Sequence, residues 1–158
     1  MRIIGIDPGT SILGFGVIDA AGQKKTLVDA GVIRTKTHQA LDERLLEIHE
    51  CIEQIISETK PEIMVIEKLF FAQNVTTAIS VSHARGVVML AGKQAGLTII
   101  ELTPLQIKQT LTGYGRATKN QIQQMVQTIL KLDDIPKPDD CADALAAALC
   151  YEGATLSV

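Results

Sequence analysis

The first part of the chain has the apolar pattern of β-strands. Residues 2–7 (RIIGID) form a nearly continuous apolar run, residues 14–20 (GFGVIDA) form a second, alternating segment, and residues 26–35 form a third β-rich segment. The connections between these segments are shorter than the dozen or so residues that a parallel crossover needs. The three segments are therefore predicted to form an antiparallel meander.

Helical spacing of apolar residues begins after the third strand. It predicts a helix over 41–59, which Pro61 ends, and a helix over 75–94. A short β-rich run that ends on Glu67 predicts a fourth strand between these helices, and a fifth strand is predicted over 97–102. Three further helices are predicted near 104–111, 118–131 and 139–151. Strands joined through helices usually pair in parallel. The predicted fold class is therefore α/β: a mixed five-stranded sheet, with three antiparallel strands and then two parallel to the first, flanked by helices.

Length and composition exclude several classes of protein. The 158 residues are predicted to form a single domain, 1–158, which is too short for a two-lobed ATPase of the actin type. No apolar run reaches the roughly 18 residues of a membrane span, and no signal sequence opens the chain. A soluble, cytoplasmic protein without a membrane partner is expected. The three cysteines have no CxxC spacing, which is typical of buried reduced thiols.

Basic residues are concentrated in one part of the chain. The net charge is −3, yet residues 68–131 contain seven basic residues and one acidic residue. Such an uneven distribution indicates one face that binds phosphates, although lysines scattered on helices can also serve solubility alone. A polyanionic partner is therefore compatible with a chain that is acidic as a whole.

The residue at the end of the first strand is a carboxylate, Asp7, followed by Pro8, Gly9 and Thr10. Three interpretations fit this segment. A similar Asp-Gly-Thr hairpin grips the nucleotide in sugar kinases and actin-like ATPases, a metal-ion nuclease holds a divalent cation with such an Asp, and Asp is also a common turn residue. The short chain weakens the nucleotide interpretation, and the segment alone does not decide between the other two.

Glu67 has the same position as Asp7, at the carboxyl end of a predicted strand. If the two strands are parallel, both carboxylates lie at one edge of the sheet. Asp19 ends an antiparallel strand and is expected at the opposite edge, whereas Glu101 ends the fifth strand at the same edge and is a candidate supporting residue. Asp7 and Glu67 are therefore the strand acids with a candidate role in catalysis.

Asp140 and Asp143 lie three residues apart at the start of the last predicted helix, so their side chains share one face. Acidic residues in a first helical turn often only cap the helix. Grouped with Asp7 and Glu67, however, they would repel one another unless a cation neutralised them. Mg²⁺ prefers oxygen ligands, and two such ions can promote an in-line displacement at phosphorus. The set of four predicts a phosphodiester hydrolase.

Five segments follow one another in a distinctive order: GIDPGTSILGFGVID, VIEKLFFAQN, SHARGVVML, LTPLQIKQTLTGYGRATKNQIQQMV and DDCADALAAALC. Together they resemble the RuvC family, the bacterial Holliday-junction resolvases of the ribonuclease-H-like superfamily. The resemblance covers essentially the whole chain. It implies that Asp7, Glu67, Asp140 and Asp143 are catalytic and hold two Mg²⁺ ions, for which Mn²⁺ can substitute. Asp139 would shift the assignment by one residue, but the D-x-x-D spacing to Asp143 favours Asp140.

The same resemblance implies an enzyme that nicks two opposed strands of four-way junction DNA symmetrically, in recombination and repair. It implies a homodimer with one active site for each strand. The helix over 75–94 would form the dimer, since it has apolar or small residues on more than one face and Gly86 would allow close approach. RuvA and RuvB, the branch-migration proteins, are the expected partners.

Four residues are candidates for DNA contacts. By the resemblance, Lys108 and Lys119 hold the phosphate backbone near the cut, with Arg116 in the Gly-flanked loop between them; the alternative is that these are solvated surface residues. Phe70 directly follows the fourth strand. The resemblance implies that it stacks on an unpaired base, a contact of about 1–3 kcal/mol. The alternative is that Phe70 and Phe71 pack into the core.

Two alternative functions remain open. A compact RNA nuclease of the YqgF type shares a similar opening Asp-Gly-Thr, although the segments EKLFF and GYGR argue against it. A non-catalytic junction-binding module would retain the fold, but it would have no need for four mutually repelling carboxylates. Preference for four-way DNA over RNA duplex separates the first alternative from a resolvase, and cleavage separates the second.

Overall fold

The computed structural model describes residues 1–69 and 75–152. In this part of the chain the elements follow one another in the order β1 (Arg2–Asp7), β2 (Ile12–Ala21), β3 (Lys24–Arg34), α1 (Leu41–Thr59), β4 (Ile63–Glu67), α2 (Val75–Gln94), β5 (Thr98–Leu102), α3 (Pro104–Thr112), α4 (Lys119–Leu130) and α5 (Asp139–Leu149). Every predicted element occurs, with the predicted type. None of these helices is both long and apolar enough to cross a membrane.

The strands form one sheet in the order β3-β2-β1-β4-β5. β2 pairs antiparallel with β1 and β3, whereas β4 pairs parallel with β1 and β5. This arrangement confirms the predicted mixed sheet, with three antiparallel strands followed by two strands parallel to the first. The carboxyl ends of β1, β4 and β5 consequently meet at one edge of the sheet, which we call the Asp7 edge.

Element boundaries differ slightly from the predicted ones. β2 begins at Ile12 and β3 at Lys24, each before its predicted start, because the ladder between them runs from the pair of Ile12 with Arg34 to the pair of Ala21 with Lys24. α4 is shorter than predicted at both ends. Thr118 precedes the helix as its N-cap, and Lys131 ends it in a left-handed backbone conformation. Turn and cap geometry, which apolar periodicity does not report, accounts for these shifts.

Side chains of the sheet alternate between two hydrophobic clusters, one on each face. In β1, Ile3 packs with residues of α3, α4 and α5, whereas Ile4 packs with residues of α1 and α2. In β4, Val65 packs in the same cluster as Ile3. Because side chains of a strand repeat with a period of two, Asp7 and Glu67 lie on the same face as Ile3 and Val65. Both carboxylates are therefore on the face that α5 covers.

Glycines in β1 and β2 allow α5 to lie directly on the sheet. A β-carbon added to Gly14 would overlap the backbone oxygen of Asp140, and one added to Gly5 would overlap the backbone oxygen of Ala144. Gly14 is also the partner of Asp7 in the β1–β2 ladder. The close approach of α5 therefore brings its first turn next to Asp7.

The cysteines are structural, as predicted. Cys141 and Cys150 are buried and Cys51 is half-buried, and all three are free thiols. Burial raises the pKa of the Cys150 thiol to about 12. A thiol with such a pKa is protonated at neutral pH, so it packs as a small apolar side chain.

Candidate active site

Three elements bring four carboxylates together at the Asp7 edge. Asp7 ends β1, Glu67 ends β4, and Asp140 and Asp143 lie near the start of α5. The pKa of Asp7 is raised to about 7, first by burial and then by the charges of Asp143, Glu67 and Asp140. Charges must be near to act in this way. The four predicted acids therefore form one group, which we call the carboxylate cluster.

Glu67 and Asp143 share this electrostatic environment. The pKa of Glu67 is raised to about 7 by burial and by Asp143, against the opposing charges of Lys108 and Lys119. Burial also raises the pKa of Asp143, although the ion pair with Lys119 acts to lower it. Burial and like charges together therefore raise the pKa values of Asp7 and Glu67 into the neutral range. A bound divalent cation would relieve this repulsion.

Lys119 supplies positive charge from the first residue of α4. Its Nζ lies 3.0 Å from Asp143 Oδ2 and 3.3 Å from Asp139 Oδ2. Asp139 also accepts a hydrogen bond from an α4 side chain at 3.0 Å, whereas the charge of Asp140 acts on Asp7. The charges of both aspartates also act on Asp143, so the assignment of Asp140, rather than its neighbour Asp139, as a metal ligand stays a prediction.

A cleft of about 260 Å³ opens beside the carboxylate cluster. Its polar lining consists of Glu67, Asp143, Lys108 and Lys119. A phosphate entering the cleft would therefore meet both carboxylates and ammonium groups. Arg116 lies outside the cleft lining, exposed in the connection between α3 and α4.

Phe70 and Phe71 lie outside the described residues. The last described residue before them, Leu69, lines a second cleft together with Asp7 and Glu67. The base-stacking role of Phe70 stays a prediction.

Asp19 and Glu101, the other two strand acids that the sequence singled out, have arginine partners. Asp19 accepts hydrogen bonds from Nε and Nη2 of Arg2, both at 2.9 Å, at the edge opposite to Asp7, as predicted. Glu101 forms an ion pair with Arg85, whose Nε also donates to the backbone oxygen of Glu67 at 3.2 Å. Glu101 was identifiable from its position at the end of a strand. Arg85 was not, because only the packing of α2 reveals this contact.

The loop after Asp7 is held from several sides. Thr10 is buried, its backbone oxygen accepts a hydrogen bond from Thr35 Oγ1 at 2.5 Å, and its hydroxyl lies 3.3 Å from Ser80 Oγ in α2. Thr35 in turn accepts a hydrogen bond from Nε of Arg44 in α1 at 2.9 Å. These supporting residues are distant along the chain, so no local sequence pattern indicates them. Hydrogen bonds to other elements therefore hold the loop that follows Asp7 in place, so this loop is not an isolated turn.

The donor chemistry of the cluster fits a hard divalent cation, because all its ligands are carboxylate oxygens. Within residues 1–69 and 75–152, however, no three His, Cys, Asp or Glu side chains are arranged to hold a metal ion. Asp143 instead contacts the ammonium group of Lys119. The residue types match the prediction, while a closed ligand geometry is not formed.

The raised pKa values predict that Mg²⁺ stabilises the protein more at pH 8 than at pH 6. Asp7 and Glu67 bind protons more tightly in the folded than in the unfolded chain. The metal-free protein therefore loses stability as the pH rises from the ordinary pKa values of 3.8 for Asp7 and 4.5 for Glu67 to about 7. Each group contributes up to ~1.4 kcal/mol per pH unit in this window. Because Mg²⁺ binds the ionised form, thermal denaturation should show a larger upward shift of Tm with Mg²⁺ at pH 8. An equal shift at both pH values would contradict this prediction.

The sequence matches one family over nearly its whole length. The sequence profile described as Crossover junction endodeoxyribonuclease RuvC matches residues 3–151. The RuvC crossover junction endodeoxyribonucleases of Desulfitobacterium hafniense and Fusobacterium nucleatum are 54% and 52% identical to the chain over 151 residues. These alignments cover 96% of the chain and 92% and 80% of the respective relatives.

A solved structure has the same fold as the chain. The structure of Thermus thermophilus RuvC in complex with Holliday junction substrate superposes with a TM-score of 0.91 at 35% sequence identity. The superposition covers 96% of the chain and 93% of the Thermus protein. Family profile, sequence relatives and fold agree, and the chain therefore belongs to the RuvC family of crossover junction endodeoxyribonucleases.

Proposed function

We propose that the protein resolves Holliday junctions by nicking two opposed DNA strands, through metal-dependent hydrolysis of phosphodiesters. The RuvC family consists of metal-dependent nucleases. The observation that carries the proposal is the carboxylate cluster, which lies beside a cleft that also contains two lysines. A protein that only bound junctions would gain nothing from buried carboxylates whose pKa values reach about 7.

In the proposed mechanism, Asp7, Glu67, Asp140 and Asp143 hold two Mg²⁺ ions, with Mn²⁺ as a substitute. When bound there, these cations would activate the attacking water and stabilise the leaving oxygen. The chain itself supplies position, because two strand ends and one helix hold the carboxylates in place. Lys108 and Lys119 line the cleft, where they can bind phosphate oxygens and stabilise the charge of the transition state.

Four-way junction DNA is the proposed substrate. Lys108 and Lys119 lie in the cleft, Lys68 lines the second cleft beside Asp7, and Arg116 is exposed in the α3–α4 connection. These cations can hold the DNA backbone on the side of the carboxylate cluster. The Thermus relative was solved in complex with Holliday junction substrate. In the same proposal, Phe70 stacks on an unpaired base at the junction centre.

The proposed active form is a homodimer that contacts through α2. Ile79 and Leu90 on this helix are 52% and 54% exposed, whereas Ala84 and Val88 are buried against the sheet. A β-carbon at Gly86 would meet no atom within 4 Å, so nothing within one described subunit requires a glycine there. These features support close approach of a second copy. A twofold dimer would provide one active site for each of two strands.

The protein is further proposed to act in the cytoplasm and to form a single domain. Family membership supports a protein that acts in the cytoplasm with the RuvA and RuvB branch-migration proteins. The proposed nuclease domain comprises residues 1–158 as one unit. Its support is the packing of both hydrophobic clusters on the two faces of one sheet.

Cleavage of a synthetic mobile four-way junction in Mg²⁺ tests the proposed function. The expected result is a pair of ligatable nicks at symmetric positions in two opposed strands, while linear duplex DNA of the same sequence stays intact. Junction binding should weaken steeply as the salt concentration rises, because the contacts are to phosphates. Junction binding without cleavage, with Mn²⁺ as well, would indicate a non-catalytic module. Cleavage of RNA duplex without junction binding would indicate the YqgF-type nuclease.

A further inference from the structure

Arg85 connects α2 to the backbone of a residue in the carboxylate cluster. Its Nε donates a hydrogen bond to the backbone oxygen of Glu67 at 3.2 Å, and its Nη2 forms an ion pair with Glu101 of β5. The Arg85 side chain is only 18% exposed. Because a guanidinium is planar and its donors have fixed directions, these two bonds hold α2, β4 and β5 in one arrangement at the end of β4.

The backbone at Glu67 has ladder support on one side only. The β1–β4 pairing ends at Ile6 with Ile66, whereas the β4–β5 pairing continues to Glu67 with Leu102. The chain leaves the strand after Glu67. A strand end with one paired neighbour opens more readily than a strand interior. An additional bond to the Glu67 backbone oxygen therefore restrains a peptide that the sheet holds incompletely.

We propose that Arg85 is a positioning residue for the metal site, an inference that rests on the proposed function of Glu67 as a metal ligand. By holding the Glu67 peptide, Arg85 sets the direction in which the Glu67 carboxylate leaves the strand, and Glu101 in turn holds the guanidinium. Arg85 acts through Glu67 and not on the substrate. α2 also contacts the loop after Asp7, through the hydroxyl of Thr10. One helix thus supports the ends of both strands that carry cluster residues.

The chain contains a matched control arginine. Arg2 also bridges a carboxylate and a backbone oxygen, since it donates to Asp19 at 2.9 Å and to the backbone oxygen of Thr59 at 2.6 Å. Arg85→Lys and Arg2→Lys therefore remove the same kind of bridge, but Arg2 lies at the edge opposite to the carboxylate cluster. In both variants the positive charge is kept and the planar fork is lost.

The Mn²⁺ affinity of the full chain, measured by calorimetry without DNA, tests this role. Arg85→Lys is expected to weaken Mn²⁺ binding by about 10- to 100-fold, the usual effect of losing a group that orients a metal ligand. Arg2→Lys is expected to leave the affinity unchanged. The Mg²⁺ concentration for half-maximal junction cleavage should rise in parallel in the first variant. Equal changes in both variants, or unchanged Mn²⁺ affinity in a folded Arg85→Lys protein, would overturn the proposal.

Two further variants separate failure of the positioning role of Arg85 from failure of the proposed function of Glu67. If Arg85→Lys does not fold, Glu101→Gln decides, because it removes the charge that holds the guanidinium: weakened Mn²⁺ affinity supports the positioning role, and unchanged affinity overturns it. Glu67→Gln tests the ligand itself. If Glu67→Gln leaves the Mn²⁺ affinity unchanged, the proposed function of Glu67 fails. If it weakens binding while Arg85→Lys does not, only the positioning role fails.

Discussion

Replacing Asp7 by Asn is expected to lower the rate of junction cleavage by at least about 10³-fold while junction binding is retained. A metal ion at a phosphoryl centre supplies several kcal/mol of transition-state stabilisation, and about 4 kcal/mol corresponds to 10³-fold in rate. Asn keeps the shape of Asp but lacks the negative charge of a ligand. Binding persists because it depends mainly on cations that contact phosphates. Single-turnover cleavage and a gel-shift titration measure the two effects.

Asp19→Asn is the matched control for this variant. It makes the same change in β2, at the opposite edge, where the partner is Arg2, and it is expected to leave cleavage unchanged. Asp7→Asn has a second signature, because burial and like charges raise the pKa of Asp7 to about 7. A neutral side chain should therefore raise the Tm of the metal-free protein at pH 8. Normal cleavage by Asp7→Asn, or an equal loss in Asp19→Asn, would remove Asp7 from the active site.

Gly14→Ala is expected to destabilise the protein by about 1–3 kcal/mol and to lower the cleavage rate by about 10²-fold. The added methyl group would overlap the backbone oxygen of Asp140, which can move only if the first turn of α5 moves with it. Gly14 is also the ladder partner of Asp7, so the displacement acts at the carboxylate cluster itself. Urea denaturation and single-turnover cleavage measure the two losses.

Gly92→Ala is the matched control for the glycine variant. Its new methyl group would meet the end of the flexible Met64 side chain, which can rotate away. A small change in stability and unchanged cleavage are expected. Full activity and an unchanged urea midpoint in Gly14→Ala would show that α5 does not depend on close approach to the sheet.

The elements and the sheet topology were predictable because they follow from local patterns. Short connections permit only antiparallel pairing of the first three strands, and helical connections favour parallel pairing of the others. Strand and helix ends were less predictable. β2 begins at Ile12 because of ladder pairing, and α4 ends at Leu130 because of cap geometry. Apolar periodicity reports neither of these features.

The sequence identified the candidate acids, but it did not show which residues contact them. The sequence placed Asp139 and Asp140 side by side, and only the D-x-x-D spacing favoured Asp140. In the structure Asp139 faces Lys119 and an α4 side chain, whereas Asp140 acts on Asp7. The orientation of neighbouring helix residues depends on what packs beside them, so a linear pattern does not show which side chains each of the two acids contacts.

The sequence alone indicated that Asp7 and Glu67 end parallel strands at the same edge of the sheet, because strand ends and pairing direction follow from local patterns and connection types. Only the tertiary structure decided that α5 brings Asp140 to them, since its docking depends on Gly14 in another strand. The same holds for Arg85, whose bonds to Glu67 and β5 join residues distant along the chain. Close packing of remote segments creates such contacts, and no local pattern specifies them.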